Sequence, residues 1–156
     1  MTQEEVKLTA GATRSVPTAV LALCAGADGR ELYAACLDGG VWAVPVAGGE
    51  PRRIGRHGSY ASGVQYVART GEVLSSGYDG ALRWQTPPGR EVRVVKAHGF
   101  WSWKMRVSPD ERLVASVTGQ YLAGGEKYEP AAEQEPSVQV YDVDTGELRH
   151  AFSHVP

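Results

Sequence analysis

The chain has 156 residues, with 16 Lys and Arg against 18 Asp and Glu and a formal net charge of −2. This length supports one hydrophobic core of ordinary size. The near-neutral charge argues against a nucleic-acid or anionic-membrane binder, and the longest apolar stretch, residues 19–27, is far too short to span a bilayer. We therefore expect a cytoplasmic protein without nucleic-acid or membrane partners.

The composition favours short strands and tight turns over long helices, because it includes 19 Gly, nine Pro, seven Tyr and four Trp. The two Cys cannot form a disulfide framework. If the connection before residue 35 is a hairpin centred on Asp28-Gly29, Cys24 faces about Tyr33 and not Cys36. Both Cys are therefore interpreted as buried strand residues, with a disulfide or redox role as the alternative.

The sequence repeats with a period of about 41 residues. His57-Gly58 and His98-Gly99 lie 41 residues apart, as do Asp38-Gly39 and Asp79-Gly80. Turn sequences recur at a similar spacing, at residues 27–29, 69–71 and 109–111. This period fits one four-stranded propeller blade of roughly 40 to 45 residues.

Each unit contains four short apolar runs bounded by turn residues. The fourth run carries Arg or His, as expected for a solvent-facing edge strand. In chain order, the predicted strands are residues 19–24, 31–35, 41–44 and 52–55, then 63–67, 72–76, 81–85 and 92–95, then 103–107, 113–117, 137–142 and 148–152.

These units resemble the WD40 repeat family over nearly the whole chain. The family's Gly-His element corresponds to Arg56-His57, Ala97-His98 and Ser153-His154. Its Trp-Asp pair corresponds to Ala43-Val44, Trp84-Gln85 and Tyr141-Asp142, and its turns resemble residues 108–111 and 142–147. The resemblance implies an all-β, WD40-like propeller segment of about three four-stranded antiparallel blades, which this chain alone does not close.

The predicted division follows the period. Residues 16–57 form blade 1, residues 58–98 form blade 2, and residues 99–154 form blade 3 with an insertion at 118–136. Residues 1–15 contain the outer strand of a missing or partner blade plus a junction, and residues 155–156 begin a further blade.

The resemblance also implies a buried hydrogen-bond network in blade 2, supplied by His57, Ser75 or Ser76, Asp79 and Trp84. The same His, Ser and Asp could form a nucleophile-base-acid set. Each, however, occupies a position set by the repeat, and the chain has no Gly-x-Ser-x-Gly motif. We therefore interpret them as structural and expect no enzyme activity.

Metal and cofactor signals are weak. The His residues are spread around the predicted axis and do not cluster as zinc ligands. Residues 119–124 have the spacing of a phosphate loop, but Gly125 and Glu126 replace its Lys and Ser/Thr. Residues 142–146 resemble the start of a Ca²⁺ loop, with Ser153 in place of the bidentate Glu. We expect no metal and no cofactor.

Two departures from the repeat point to a partner site. The interval from His98 to His154 is 56 residues, 15 more than the period, because of the insertion at 118–136. An aromatic cluster at residues 100–103 follows His98, and family geometry places it on the same rim as the insertion. The candidate partner-binding residues are Phe100, Trp101, Tyr121, Tyr128, Glu129 and Glu133. A decorative loop, and aromatics that pack beneath it, are the alternative.

Three blades are too few to close a propeller, which typically has four to eight. We therefore expect a fragment of a longer propeller, or else a short chain that closes with copies or another polypeptide. The predicted function is a non-catalytic protein-protein interaction scaffold that binds a protein or peptide. The alternative is a set of sensor or docking blades in a larger bacterial multidomain enzyme or cytochrome, whose catalytic domain lies outside this chain.

Overall fold

The computed structural model describes residues 11–118 and 135–153. These residues form three four-stranded antiparallel sheets, and among them there is no helix and no closed barrel. The sheets, here called blades 1, 2 and 3, follow one another as in a segment of a β-propeller. Blade 1 comprises β1 (Val20–Ala25), β2 (Glu31–Cys36), β3 (Gly40–Pro45) and β4 (Arg52–Arg56). Blade 2 comprises β5 (Ala61–Val67), β6 (Glu72–Gly77), β7 (Ala81–Gln85) and β8 (Glu91–Lys96). Blade 3 comprises β9 (Lys104–Val107), β10 (Leu113–Val117), β11 (Val138–Asp142) and β12 (Leu148–Phe152).

Each blade is a meander in which neighbours in sequence are neighbours in the sheet. Its first hairpin turns through a left-handed residue, namely Gly29 at a φ of 69°, Gly71 at 72° and Glu111 at 58°. Glycine adopts this conformation without a steric penalty, whereas Glu111 does not. The predicted strands agree with the observed ones to within about two residues, because short apolar runs bounded by turn residues are local signals.

Two apolar clusters join the blades. The first packs blade 1 against blade 2 and includes Tyr33, Val41, Ile54, Val64 and Val73. The second packs blade 2 against blade 3 and includes Leu74, Leu82, Trp84, Val114 and Tyr141. Alternation along each strand sends successive side chains to opposite faces, so blade 2 supplies one face to each neighbour.

Arginines of the fourth strands add polar contacts between blades. Arg52 of β4 donates to the carbonyl of Pro87, in the turn after β7. Arg93 of β8 donates to the carbonyl of Val143, in the turn after β11, over 3.1 Å. The guanidinium of Arg93 also lies 5.3 Å from the ring centroid of Trp84. An equivalent contact therefore fixes each blade to the next.

Cys24 pairs with Tyr33 across β1 and β2, which confirms the predicted register. Both Cys are free thiols. Burial raises the pKa of each thiol to about 11, so neither is a thiolate at neutral pH.

Three predicted features fall partly or wholly outside the described residues. They are the outer strand in residues 1–15, most of the insertion at 118–136, and the start of a further blade at 155–156. At the base of the insertion, the amide of Thr118 donates to the carbonyl of Ser137 over 2.9 Å.

Candidate functional site

A buried chain of hydrogen bonds runs through blade 2. The ring of His57 lies 2.9 Å from Asp79 through Nδ1 and 2.9 Å from the Ser75 hydroxyl through Nε2. The side-chain amide of Gln85 donates to the same Ser75 hydroxyl over 3.0 Å. The backbone amide of Gly58 donates to the second Asp79 oxygen over 2.8 Å. The network therefore connects β6 and β7 to the segment that joins blade 1 to blade 2.

Local sequence explains this arrangement. Asp79 lies in the turn between β6 and β7, where Gly80 has a φ of 72°. A side chain at Gly77 would come within 2.4 Å of the His57 ring, so the glycine makes room for the imidazole. Ser75 is in the middle of β6 and is fully buried.

The hydrogen bonds define the direction of the network. Because a carboxylate only accepts, Nδ1 of His57 donates to Asp79. In the neutral ring, Nε2 then accepts the hydroxyl proton of Ser75, whose oxygen accepts from Gln85. Burial acts to raise the pKa of Asp79, but hydrogen bonds from His57 and the Gly58 amide outweigh it and hold that pKa well below its usual range.

The structure brings three of the predicted network residues together: His57, Ser75 and Asp79. Ser76 lies on the other face of β6, where its hydroxyl contacts that of Ser62 over 3.0 Å. Trp84 is also on that face, within the cluster between blades 2 and 3, and its Nε1 has no hydrogen-bond partner among the described residues.

The prediction for Trp84 is wrong by one position along β7. In a strand, neighbouring side chains point to opposite faces, so Ser75 shares its face with Gln85 and not with Trp84. The pairings Val73 with Gln85 and Leu74 with Trp84 show this register. Gln85 was not among the predicted network residues, because the aromatic residue type at position 84 suggested Trp84, whereas strand parity places Gln85 on the face of Ser75.

Blade 3 contains a second, similar network. His98 Nε2 lies 2.9 Å from the Ser116 hydroxyl, which contacts the Ser102 hydroxyl over 2.9 Å. The side-chain N–H of Gln139 donates to His98 Nδ1 over 3.3 Å. The side-chain oxygen of Gln139 accepts from the Tyr141 hydroxyl over 2.6 Å. His98 therefore carries its proton on Nε2, the opposite tautomer to His57. Burial lowers the pKa of His98.

Five aromatic residues form one group at the rim where these networks end. They are Tyr60, Tyr78, Phe100, Trp101 and Trp103, here called the aromatic surface. Ring centroids are 5.5 Å apart from Tyr60 to Tyr78, 4.9 Å from Tyr78 to Trp101 and 4.4 Å from Trp101 to Phe100. Trp103 lies 6.0 Å from Trp101. Tyr60 is 45% exposed and Phe100 is 36% exposed.

The backbone holds these rings on a rigid base. The amide of Tyr78 donates to the carbonyl of Tyr60 over 2.8 Å. The amide of Ser102 donates to the carbonyl of Gly77 over 3.1 Å. The aromatic surface therefore spans the junctions before β5 and β9 and the turn before β7.

Two of the predicted partner-binding residues, Phe100 and Trp101, belong to the aromatic surface. The others, Tyr121, Tyr128, Glu129 and Glu133, lie outside the described residues. Tyr60 and Tyr78 were not among the predicted partner-binding residues. The repeat held a signal for the first, since Tyr60 precedes Trp101 by one period of 41 residues.

Within residues 11–118 and 135–153, no group of three or more His, Cys, Asp or Glu is arranged to hold a metal ion. The same residues include no helix of the length and hydrophobicity needed to cross a membrane.

No family model matches this sequence, and neither does any curated protein. Many solved structures match its fold. One of them is the crystal structure of the computationally designed Ika4 protein, with a TM-score of 0.69 and 18% sequence identity. The match covers 92% of this chain and 78% of the Ika4 chain. At this identity, the similarity shows a shared fold alone.

Proposed function

We propose that this chain is a non-catalytic protein-protein interaction scaffold built from WD40-like repeats, and that a protein or peptide partner binds the aromatic surface. The observation that carries the proposal is the run of contacting, partly exposed rings from Tyr60 to Phe100 on one rim, in which Tyr78, Trp101 and Phe100 are stacked. Tyr and Trp are enriched at interface hot spots because they bury a large area and lose little side-chain entropy.

The repeated chemistry of blades 2 and 3 supports the WD40-like part of the proposal. Each blade pairs a buried His with a buried Ser of its second strand, at 2.9 Å in both cases. These His and Ser residues recur at the same period of 41 residues. Blade 2 adds the Asp79 carboxylate, which the resemblance to WD40 repeats implies for such a network.

The burial of Ser75 supports a non-catalytic role. The Ser-His-Asp distances are those of a hydrolase triad, but the serine is 0% exposed and its hydroxyl oxygen accepts from Gln85. A nucleophile must reach its substrate. The same groups are well placed to stabilise the blade.

Replacement of Trp101 by alanine tests the proposed site. We expect Trp101→Ala to weaken partner binding by about 2 kcal/mol or more, roughly thirtyfold in Kd, because Trp101 is at the centre of the stacked rings. A partner captured with the full chain would be identified by mass spectrometry and its affinity measured by calorimetry.

Val46→Ala is the control, since Val46 is a 43% exposed apolar residue in the turn between β3 and β4, outside the aromatic surface. Its affinity should equal that of the wild type. Unchanged binding by a folded Trp101→Ala variant would overturn the proposal, as would loss of binding in Val46→Ala alone.

A further inference from the structure

Glu135 occupies the place in blade 3 that Asp79 occupies in blade 2. Asp79 lies two residues before β7, and Glu135 lies three residues before β11. Each carboxylate accepts from the backbone amide of the glycine that follows the buried His. The Gly58 amide donates to Asp79 over 2.8 Å, and the Gly99 amide donates to Glu135 over 2.8 Å.

The two carboxylates differ in their contact with the histidine. Asp79 accepts from His57 Nδ1 at 2.9 Å, whereas Glu135 is 4.0 Å from His98 Nδ1. The closer partner of His98 Nδ1 is the side-chain N–H of Gln139, which donates to it over 3.3 Å. Glu135 is therefore free to direct its oxygens to the backbone instead of the imidazole.

Those oxygens bind the backbone where the aromatic cluster at residues 100–103 begins. Glu135 accepts from the amide of Gly99 and, over 3.4 Å, from the amide of Phe100. The turn before β7 also lies against this backbone, because a side chain at Gly80 would come within 2.3 Å of the Phe100 carbonyl oxygen. The Phe100 backbone thus contacts both the Glu135 carboxylate, through its amide, and the turn before β7, through its carbonyl oxygen.

We infer that Glu135 is a positioning residue that fixes Phe100 and Trp101 in their stacked arrangement on the aromatic surface. A carboxylate that accepts from backbone amides forms strong, directional hydrogen bonds. Because the Phe100 and Trp101 rings are 4.4 Å apart, fixing one backbone also orients the neighbouring ring. The consequence for binding rests on the proposed function, but the positioning itself does not.

Amide hydrogen exchange of the full chain, followed by NMR, tests the positioning. In Glu135→Gln the amides of Gly99 and Phe100 should exchange about tenfold faster or more, because a neutral amide is a weaker acceptor. The Gly58 amide, held by Asp79, should be unchanged. Glu135→Asp, which keeps the charge, should restore part of the protection.

Glu147→Gln is the matched charge control, since the Glu147 side chain is 65% exposed in the turn after β11. It should leave the Gly99 and Phe100 amides at their wild-type rates. If Glu135→Gln left both rates unchanged, or raised all amide rates equally, including that of buried Ser75, the inference would be overturned.

Near-ultraviolet circular dichroism gives a second readout, because it reports on the relative orientation of stacked rings. We expect Glu135→Gln to reduce the aromatic signal while the far-ultraviolet spectrum stays unchanged. An unaltered aromatic signal would contradict the positioning role.

Partner affinity separates this inference from the proposed function. Local loss of protection in Glu135→Gln, together with unchanged binding by Trp101→Ala, would support the positioning and overturn the proposed binding site. Loss of binding in Trp101→Ala, together with normal exchange in Glu135→Gln, would support the proposed binding site and overturn the positioning role of Glu135.

Discussion

Asp79 is the residue on which the polar contacts of blade 2 converge. Its carboxylate accepts from the ring of His57 and from the backbone amides of Gly58 and Ala81. Arg83 lies 3.6 Å away. Removal of this carboxylate would leave a buried imidazole N–H without an acceptor, which is costly in a protein interior.

We expect Asp79→Ala to lower the free energy of unfolding by about 1 to 3 kcal/mol, the usual penalty for a stranded buried polar group. Chemical denaturation of the full chain measures this. Asp38→Ala is the control, since Asp38 accepts from the Gly40 amide in the corresponding turn of blade 1. An Asp79→Ala variant as stable as Asp38→Ala would contradict the structural role.

The depressed pKa of Asp79 predicts that the free energy of unfolding depends on pH in the acid range. The pKa of Asp79 is depressed in the folded chain, so its stabilisation is present above the ordinary value of 3.8 and is lost as the pH falls below it. The free energy of unfolding should therefore decline below about pH 4 and decline less steeply in Asp79→Asn. Parallel pH profiles of the two proteins would contradict this assignment.

At the scale of elements, the turn between β9 and β10 fastens blade 3 to blade 2. The carboxylate of Glu111 accepts from the amides of Ala68 and Arg69, over 3.1 Å and 2.6 Å. Arg69 in turn donates to the Glu111 carbonyl over 3.1 Å. These bonds hold Glu111 in its left-handed conformation, with a φ of 58°, at the turn position where blades 1 and 2 have glycine.

This arrangement predicts different effects for two substitutions. Glu111→Ala loses the two carboxylate hydrogen bonds to the Ala68 and Arg69 amides and keeps the backbone strain, whereas Glu111→Gly loses the same bonds but relieves the strain. We expect the glycine variant to be more stable than the alanine variant by about 1 kcal/mol. Denaturation midpoints of the two variants measure the difference.

Gly71→Ala is the control for the backbone effect, since Gly71 has a φ of 72° in the corresponding turn of blade 2. It should cost about 1 kcal/mol without removing a contact between blades. Equal stability of Glu111→Ala and Glu111→Gly would show that the left-handed conformation carries no cost at this turn.

At the scale of the whole molecule, the outer blades differ from the central one. Strands β6 and β7 of blade 2 are almost completely buried, because blade 2 has a neighbour on each side. Blades 1 and 3 each lack a described neighbour on one side. Large apolar side chains are exposed at 42 to 55% on the first strand of blade 1 and on the last strand of blade 3. They are Leu21 and Leu23 of β1, and Leu148 and Phe152 of β12.

We expect the chain in isolation to self-associate, aggregate or require a partner, because exposed apolar strands favour association. Sedimentation velocity over a range of concentrations measures this. A double variant, Leu23→Lys with Phe152→Lys, should shift the distribution towards the monomer. A monodisperse wild-type monomer with one cooperative unfolding transition would contradict the prediction.

The sequence by itself determined the number, order and approximate bounds of the strands. Turn residues such as Asp28-Gly29 and Asp79-Gly80 act locally, and apolar runs between them can be read without knowledge of any partner strand. The resemblance of the repeats to the WD40 family also implied one network containing His57, Asp79 and either Ser75 or Ser76.

Only the tertiary structure decided which side chains meet. Strand register sends Gln85, and not Trp84, to the face of Ser75. Packing of blade 3 on blade 2 brings Tyr78 against Trp101, although they are distant in sequence. The Glu135 carboxylate accepts from the Gly99 amide, a contact that no spacing in the sequence predicts. Such contacts depend on strand parity and on blade-to-blade geometry, and both arise only when the separate runs pair and pack.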